Sequence, residues 1–256
     1  MTTPSSVKAI IIAAGMGNRL QPYTNDTPKA MLDFGGMTLL QRQLAAFRAF
    51  GINDFAVIRG YKKEKINYEY LRYYENTDYR NNNILNSLFY GEAELDGTVV
   101  VSYSDILFDD AVVGRLLKSD ADISIVVDID WRDYYVDRVD HPIAEAENVV
   151  FDAENNVLEI GKILTRKRDV HGEFIGMMKL SPHGAEVFKR HFHRAKALYW
   201  DKPFQRAAVF QKAYLTDMIQ EMVDLGVSVY CVTIKRGWKE IDTVEDYEKA
   251  LKAFEP

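Results

Sequence analysis

The sequence predicts an α/β fold with a doubly wound sheet that is mixed but mostly parallel. The first observation is a nearly continuous apolar run over residues 7–14, which is typical of a strand buried on both faces. The second is that strand and helical patterns then alternate, which favours parallel strands joined by helices. The third is that the chain has 256 residues, of which 47% are hydrophobic, so it can bury a sizeable core.

The elements follow in order along the chain. Apolar residues recur at helical spacing within 38–50, and Gly51 stands where that helix is expected to end. Further helices are predicted at 64–74, 84–95, 112–118, about 205–224 and 244–254. Further strands are predicted at 55–58, 98–103, 123–128, 147–151, 157–160, 173–180 and 227–234. Because consecutive strands in the middle interrupt the alternation, we expect a single domain over residues 1–256 with an inserted region at about 130–205.

Charge and composition exclude several classes of protein. The formal net charge of -6 provides no basic field that would attract nucleic acid. The single cysteine, Cys231, excludes a disulfide within the chain and a Cys-rich zinc site. No apolar run approaches the ~20 residues that a membrane-spanning helix needs, and residues 1–8 lack the features of a signal peptide. We therefore expect a cytoplasmic protein without a nucleic-acid or membrane partner.

The loop after the first strand carries the richest local chemistry. Gly15 and Gly17 let backbone N–H groups approach an anionic ligand, and Arg19 and Lys29 bring positive charge to the same loop. A dinucleotide-binding fingerprint needs Gly or Ala where this chain has Leu20, and the Gly-Lys-Ser/Thr end of a P-loop is absent there. An ordinary strand-to-helix turn is the alternative for the glycines, but two cations in one loop favour a polyphosphate ligand.

This loop resembles a known signature. Ala-Ala-Gly-Met-Gly-Asn-Arg-Leu at 13–20, followed by Pro-Lys-Ala at 28–30, is similar to the opening of the nucleotidyltransferases that activate sugar phosphates and related compounds. The resemblance implies a Rossmann-like nucleotidyltransferase fold whose first loop wraps a nucleoside triphosphate.

The same resemblance implies roles for individual residues of the loop. Backbone contacts to base and ribose would come from Ala13, Ala14 and Gly15. Gly17 and Arg19 would hold the β and γ phosphates, and Lys29 would neutralise charge at the α phosphate.

Two aspartates are candidate metal ligands. Asp105 follows a predicted strand, and ligands in open α/β sheets bind at the carboxyl ends of strands. Asp242 lies in the segment Trp-Lys-Glu-Ile-Asp-Thr, just before the final helix. Structural alternatives are a turn at Asp105 and a helix cap at Asp242 or Thr243. The resemblance implies metal aspartates at both positions and a Mg²⁺ cofactor, which prefers oxygen ligands, although Tyr103 stands where many members carry another acidic residue.

An asparagine-rich stretch at 75–88 leads into a predicted helix. Asparagine forms turns and helix caps, so a simple loop into a helix is one interpretation. The other is recognition of a base by amide donors and acceptors. The stretch resembles a segment of the cytidylyltransferases that act on phosphocholine and on phosphonates. That resemblance implies that CTP is the nucleotide and that its base faces Asn76, Asn82 and Ser87.

The inserted region is expected to bind the acceptor of the nucleotidyl group. Candidate acceptor-side residues are Asp140, Lys162 and Glu173. Lys162 could grip a phosphoryl group, and Glu173 could hold an ammonium group or a metal. The alternatives are a solvated turn lysine and an exposed charge at a strand edge. His141, which precedes a proline, is expected to be structural.

Over nearly its whole length the chain is most similar to the cytidylyltransferases of phosphonate metabolism, which make compounds such as CMP-2-aminoethylphosphonate. The resemblance implies direct attack by a phosphonate oxygen on the α phosphorus of CTP, with Arg19, Lys29, Lys162 and Mg²⁺ offsetting negative charge. Phosphocholine activation is the next alternative, followed by a sugar-1-phosphate nucleotidyltransferase and a catalytically silent nucleotide-binding regulator. The sequence leaves open whether the chain forms a homodimer.

Overall fold

The structure, a computed structural model, describes residues 7–164 and 169–252. The strands in these ranges are β1 (Lys8–Ala13), β2 (Asp54–Arg59), β3 (Arg72–Glu75), β4 (Val99–Tyr103), β5 (Ile106–Phe108), β6 (Ile123–Asp128), β7 (Asn148–Phe151), β8 (Val157–Gly161), β9 (Gly172–Leu180), β10 (Tyr230–Ile234) and β11 (Trp238–Glu240). The α-helices are α1 (Leu39–Ala49), α2 (Ile84–Leu88), α3 (Asp110–Leu117), α4 (Pro182–Tyr199), α5 (Leu215–Asp224) and α6 (Val244–Leu251). None of these helices is long and apolar enough to cross a membrane.

One large sheet organises the molecule. Its nine strands follow the main order β10-β6-β9-β4-β1-β2-β3, and β7 and β8 join it beside β9. β9 runs antiparallel to both β4 and β6, whereas the other neighbours on the main path are parallel. A separate antiparallel ladder joins β5 to β11. This arrangement confirms the predicted doubly wound, mixed and mostly parallel α/β sheet.

β1 is continuously apolar because both faces of the sheet are covered. Ile10 and Ile12 pack on one face, in a core that includes residues of α2, α4 and α5. Ile11 packs on the other face, with residues of α1 and α3. Successive side chains of a strand point to opposite faces, so this one strand contributes to two cores.

The carboxyl ends of three parallel strands meet at one edge of the sheet. The backbone N–H of Tyr61, after β2, donates to the carbonyl of Ala14, after β1, at 3.1 Å. The N–H of Asn76, after β3, donates to the carbonyl of Arg59 at 2.7 Å. The glycine-containing loop and the asparagine-rich stretch are therefore neighbours in space.

A small third core fixes the first loop. Leu20 is fully buried in a cluster with Leu39, Ile241 and Tyr247. These partners come from the start of α1 and from the C-terminal segment around α6. Burying Leu20 thus ties the loop that carries Arg19 to the segment that precedes α6.

The helix predicted at 64–74 is wrong. Lys63–Lys65 form a single turn of 3₁₀ helix, and residues 72–75 are strand β3, which pairs in parallel with β2. Pairing with a neighbouring strand satisfies the backbone hydrogen bonds here, so tertiary structure overrides the local helical pattern.

Other predicted helices differ in length. Residues 84–95 form α2 followed by a 3₁₀ helix, in which Gly91 is non-helical and an added Cβ would lie 3.2 Å from Ile58. α5 begins at Leu215 rather than at about 205, because the preceding segment buries Phe204 and Phe210 in short turns. The end of the helix predicted at 244–254 lies partly outside the described residues. The sequence predicted no bounds for α4, β5 or β11.

Gly176 in β9 provides a test of how tightly the sheet is packed near its carboxyl edge. Its φ is +83°, and an added Cβ would lie 2.4 Å from the Tyr103 ring. Gly176→Ala should lower the free energy of unfolding in urea by about 3 kcal/mol, since it combines a left-handed backbone with overpacking.

Gly97→Ala is the matched control, because Gly97 has a φ of +78° but open space around its added Cβ. Gly97→Ala should lower the free energy of unfolding by about 1 kcal/mol, which is the effect of a left-handed backbone without overpacking. If the two variants lost the same free energy of unfolding, this would contradict the close packing of Gly176 against Tyr103.

Candidate active site

An ion network brings together four residues that the sequence singled out. The Lys29 ammonium lies 3.0 Å from Asp105 Oδ2 and 2.6 Å from Asp242 Oδ1. Arg19 contacts the second carboxylate oxygen of Asp242. Lys29 and Asp242 are largely buried, with 12% of each side chain exposed, whereas about half of Arg19 is exposed. A cationic loop and two aspartates therefore form one charged centre.

Local structure explains how Asp242 reaches this centre. Pairing of β11 with β5 and a 2.7 Å hydrogen bond from Ile241 N–H to the Asp105 carbonyl hold the two acidic segments side by side. The helix cap of α6 is Thr243, whose hydroxyl accepts from Asp246 N–H at 3.1 Å. The cap interpretation of Asp242 is thus wrong, and its carboxylate points to Lys29 and Arg19.

Glycine shapes the first loop around Lys29. Gly17 has a φ of +61°, and an added Cβ would lie 3.4 Å from Lys29 Cβ, so the lysine passes directly against the loop. Gly15 is exposed, with open space where a Cβ would be. Ala13 and Ala14 are buried and continue β1 into this loop. The loop leaves backbone groups beside the charged centre, as a phosphate site requires.

The three residues expected to face the base also meet. The buried amide of Asn76 donates to Asn82 Oδ1 and to Ser87 Oγ, both at 2.8 Å, and Asn82 donates back to Asn76 Oδ1 at 3.0 Å. Asn83, the residue after Asn82, caps α2. The interpretation of this stretch as a loop that leads into a helix therefore also holds. Asn76 uses its amide on these partners and thereby orients Asn82 and Ser87.

A cavity of about 250 Å³ adjoins the charged centre and is rich in carboxylates. Its walls include Arg19, Asp105 and Asp242 and, from the inserted region, Lys162 and Glu173. Its other acidic residues are Glu145, Glu147 and Glu240. The cavity therefore joins the predicted acceptor side to the predicted metal aspartates.

Of the acceptor-side candidates, Asp140 is not brought to this cavity. It is exposed, and its backbone N–H donates to Glu245 at 2.9 Å. Lys162 lies in the wall, where its ammonium pairs with Glu145 at 2.8 Å and sits 4.9 Å from the centre of the Tyr214 ring. The solvated-turn interpretation of Lys162 does not describe this position.

Glu173 is buried rather than exposed at a strand edge, with 3% of its surface accessible. Tyr135 donates to its Oε1 at 2.5 Å, while its buried Oε2 has no hydrogen-bond partner among the described residues. Burial raises the pKa of Glu173 to about 8, and nearby Glu240 and Glu147 act in the same direction. Burial likewise raises the pKa of Glu147 to about 8. Such carboxyl groups favour a cation as a neighbour.

Sequence reasoning missed the contributions of His141, Glu147 and Glu240. His141 Nδ1 lies 3.4 Å from Asp242 Oδ2, and burial lowers the pKa of this histidine to about 4, so it is neutral near pH 7. Glu240 stands in the same short segment as Asp242, which is a local signal that could have drawn attention to it. The positions of His141 and Glu147 depend on tertiary contacts that no local pattern reveals.

The residues present fit a hard divalent cation. Asp105 Oδ1 is buried and accepts no hydrogen bond from the part of the chain that the structure describes. Asp105 and Asp242 share Lys29 as a counter-ion, so their carboxylates converge on one point. Two converging carboxylates are the protein ligands that Mg²⁺ typically uses when phosphates supply further oxygens.

Comparison with known proteins identifies nucleotidyltransferase relatives of this chain. A family model described as the MobA-like NTP transferase domain matches residues 9–155. A CTP:phosphoglutamine cytidylyltransferase from Campylobacter jejuni is 26% identical over an alignment 258 residues long, which covers 96% of this chain and 100% of that relative. A 2-aminoethylphosphonate cytidylyltransferase from Lancefieldella rimae is 32% identical over 108 residues, which cover 40% of this chain and 44% of that relative.

The solved structure of a CTP:phosphocholine cytidylyltransferase from Streptococcus pneumoniae has the same fold, with a TM-score of 0.73 at 24% identity, covering 97% of this chain and 99% of that one. The chain is thus a homologue of cytidylyltransferases, and its particular similarity to the phosphonate enzymes extends over part of its length. Because the family model matches more than half of the 256 residues, the protein belongs to the MobA-like NTP transferase domain family.

Proposed function

We propose that this protein is a cytidylyltransferase that transfers CMP from CTP to a small phosphonate such as 2-aminoethylphosphonate and releases pyrophosphate. The observation that carries the proposal is Lys29, which lies between two converging aspartates beside a glycine-containing loop. The names of the relatives support CTP as the nucleotide. The cytoplasmic location expected from the sequence stays a prediction.

On the nucleotide side, the proposed contacts are backbone groups at 13–15, with Gly17 and Arg19 at the β and γ phosphates. Lys29 would neutralise charge at the α phosphate. Asn82 and Ser87 would face cytosine, held in place by the buried amide of Asn76.

The proposed metal ligands are Asp105 and Asp242. When bound, Mg²⁺ would supply positive charge to the phosphate oxygens as negative charge shifts between them. Lys29 and Arg19 would then turn from these carboxylates to the triphosphate.

The proposed reaction is an in-line displacement at the α phosphorus. A phosphonate oxygen of the acceptor forms the new P–O bond, and the bond to the bridging oxygen of the β phosphate breaks, so that pyrophosphate leaves with that electron pair. The attacking oxygen is already anionic near pH 7, so no general base is needed. Positioning and charge neutralisation by Arg19, Lys29 and Lys162 would provide the catalysis.

The inserted region at about 130–205 is proposed to select the acceptor. Its buried carboxylates favour an acceptor that carries an ammonium group. Glu173 Oε2 has no hydrogen-bond partner among the described residues, and when the carboxyl is ionised beside a cation it can accept from a primary ammonium but not from a quaternary one. This difference favours 2-aminoethylphosphonate over phosphocholine, and a sugar 1-phosphate offers no positive charge to match the glutamates.

A phosphorylated amino acid is the second candidate acceptor. It is favoured by the Campylobacter relative, which matches along its full length and is named for phosphoglutamine. Such an acceptor shares the phosphoryl and ammonium groups and adds a carboxylate. A silent nucleotide-binding regulator is disfavoured, since it would not need two metal carboxylates beside Lys29.

The proposal is tested by Mg²⁺-dependent release of pyrophosphate from CTP, with 2-aminoethylphosphonate, phosphocholine and phosphoglutamine as parallel acceptors. Release is expected with 2-aminoethylphosphonate, and not with UTP or glucose 1-phosphate as controls. Lys29→Ala and Asp105→Ala should each lose at least about 100-fold in kcat while remaining folded, because each removes charge that stabilises the transition state.

Lys118→Ala is the matched control, since Lys118 is exposed at the end of α3. It should keep wild-type turnover. Silence with every acceptor, or near-normal turnover in both site variants, would contradict the proposed activity.

Glu173→Gln tests the acceptor side through both binding and stability. The raised pKa means that Glu173 contributes less stability as pH rises from about 4.5 to about 8, because its carboxyl ionises in the unfolded chain while it stays protonated in the folded protein. Burial is the main cause of this shift. The groups that face Glu173 and also affect its pKa are unchanged in the variant; they are Tyr135, Glu240, Arg138 and Glu147. The variant should match wild type near pH 5, exceed its free energy of unfolding at pH 8, and raise the KM for the amine acceptor at least about tenfold.

Glu186→Gln, on the exposed face of α4, is the control for a surface carboxylate and should change neither quantity. If Glu173→Gln and wild type lost stability in parallel between pH 5 and pH 8, the assigned titration of Glu173 would be wrong. An unchanged KM for the acceptor would remove Glu173 from the acceptor site.

A further inference from the structure

Arg138 is a buried cation that the proposed reaction does not use. It belongs to the inserted region, yet its guanidinium lies beneath the segment that carries Asp242, with 3% of the side chain exposed. Its Nε and Nη2 donate to the two oxygens of Asp246 at 2.7 Å and 2.9 Å. Nη2 also lies 3.0 Å from Glu240 Oε2. One guanidinium thus holds two carboxylates from the C-terminal segment.

Asp246 passes this constraint to the backbone of the candidate metal ligand. Its Oδ2 accepts from the N–H of Asp242 at 3.2 Å and from the N–H of Thr243 at 3.0 Å. A carboxylate that is buried and bonded in this way needs a fixed counter-charge. Arg138 provides that charge and so sets where the Asp242 backbone lies.

Arg138 also lies against His141, a residue of the cavity wall. Arg138 Nη2 lies 3.1 Å from His141 Nδ1. The same Nδ1 lies 3.4 Å from Asp242 Oδ2 and 3.6 Å from Glu240 Oε2, so the imidazole ring is held between the guanidinium and two carboxylates. Arg138 therefore helps to fix the place of the His141 ring in the cavity wall beside Asp242.

We propose that Arg138 is a positioning residue for nucleotidyl transfer, which holds the Asp242 backbone, the Glu240 carboxylate and the His141 ring in one arrangement. This inference rests on the proposed function. Arg138 acts through these neighbours, since it does not line the cavity itself. Lysine cannot replace it, because a single ammonium cannot reproduce the planar fork that bonds both oxygens of Asp246.

The chain around Arg138 has further anchors, so a substitution there should leave the fold intact. The N–H groups of Val139 and Asp140 both donate to Glu245 Oε2 at 2.9 Å. These bonds keep the segment on α6 when the guanidinium is lost.

The test compares Arg138→Lys with wild type in turnover and in nucleotide binding. Arg138→Lys should lower kcat by about 10- to 100-fold, as loss of a group that orients metal ligands typically does. The KM for CTP should change less than about threefold, while the Mg²⁺ concentration for half-maximal rate should rise about tenfold. Asp246→Asn should give the same pattern, and the double variant should be no worse than either single one, because the pair acts as a unit.

Arg72→Lys is the matched control. Arg72 also bonds both oxygens of a carboxylate, Glu94, at 2.7 Å and 2.9 Å, but it lies at the start of β3, at the opposite edge of the sheet. Because 47% of the Arg72 side chain is exposed, against 3% for Arg138, this variant should lower Tm less than Arg138→Lys, and it should leave kcat and the Mg²⁺ requirement unchanged.

A binding measurement separates this inference from the proposed function. At a Mg²⁺ concentration that is not saturating, the rise in Tm produced by CTP with Mg²⁺ should be smaller in Arg138→Lys than in wild type or Arg72→Lys, even if no tested acceptor supports turnover. Wild-type kcat, or a wild-type Tm rise with CTP and Mg²⁺, in Arg138→Lys would overturn the positioning role. Partial recovery of kcat by added guanidinium ion in Arg138→Ala would support it.

Discussion

The site depends on one ammonium group held between two carboxylates. Lys29 meets Asp105 and Asp242 although the three residues come from distant parts of the chain. The fold makes this possible in three ways. β1 and β4 are adjacent and parallel, β5 pairs with β11, and Leu20 is buried against residues around α6. Two largely buried carboxylates this close would repel each other without a cation between them. The positive loop and the acidic segments therefore stabilise one another in this arrangement.

This balance of charge has a consequence for ligand binding. A divalent cation that approaches Asp105 and Asp242 meets carboxylates already neutralised by Lys29 and Arg19. A triphosphate that approaches Lys29 and Arg19 meets cations already paired. Each ligand releases the partner that the other one needs, so the two should bind cooperatively, with a coupling that is reciprocal. The same logic extends to the acceptor side, where buried Glu147 and Glu173 favour a cation.

The sequence was informative where the chemistry lies in contiguous segments. The apolar run of β1, the glycine-containing loop and the two aspartates could each be recognised locally, and the structure brings them together. It was uninformative where burial decides the role of a charge. Arg138 sits in a polar stretch that gives no sign of its burial under α6, and Glu173 has the pattern of an exposed strand edge. The residues of β3 resemble a helix until they pair with β2, since sheet hydrogen bonds form between segments far apart in the chain.

The most direct test of this account is the affinity for Mg²⁺ alone, measured by isothermal titration calorimetry without nucleotide. Lys29→Gln removes the counter-ion shared by Asp105 and Asp242 while keeping a side chain of similar length. It should bind Mg²⁺ at least about tenfold more tightly than wild type, a difference of about 1.4 kcal/mol, and Lys118→Gln should bind as wild type does. A Lys29→Gln variant with unchanged or weaker affinity for Mg²⁺ would contradict the claim that Lys29 balances the two metal carboxylates.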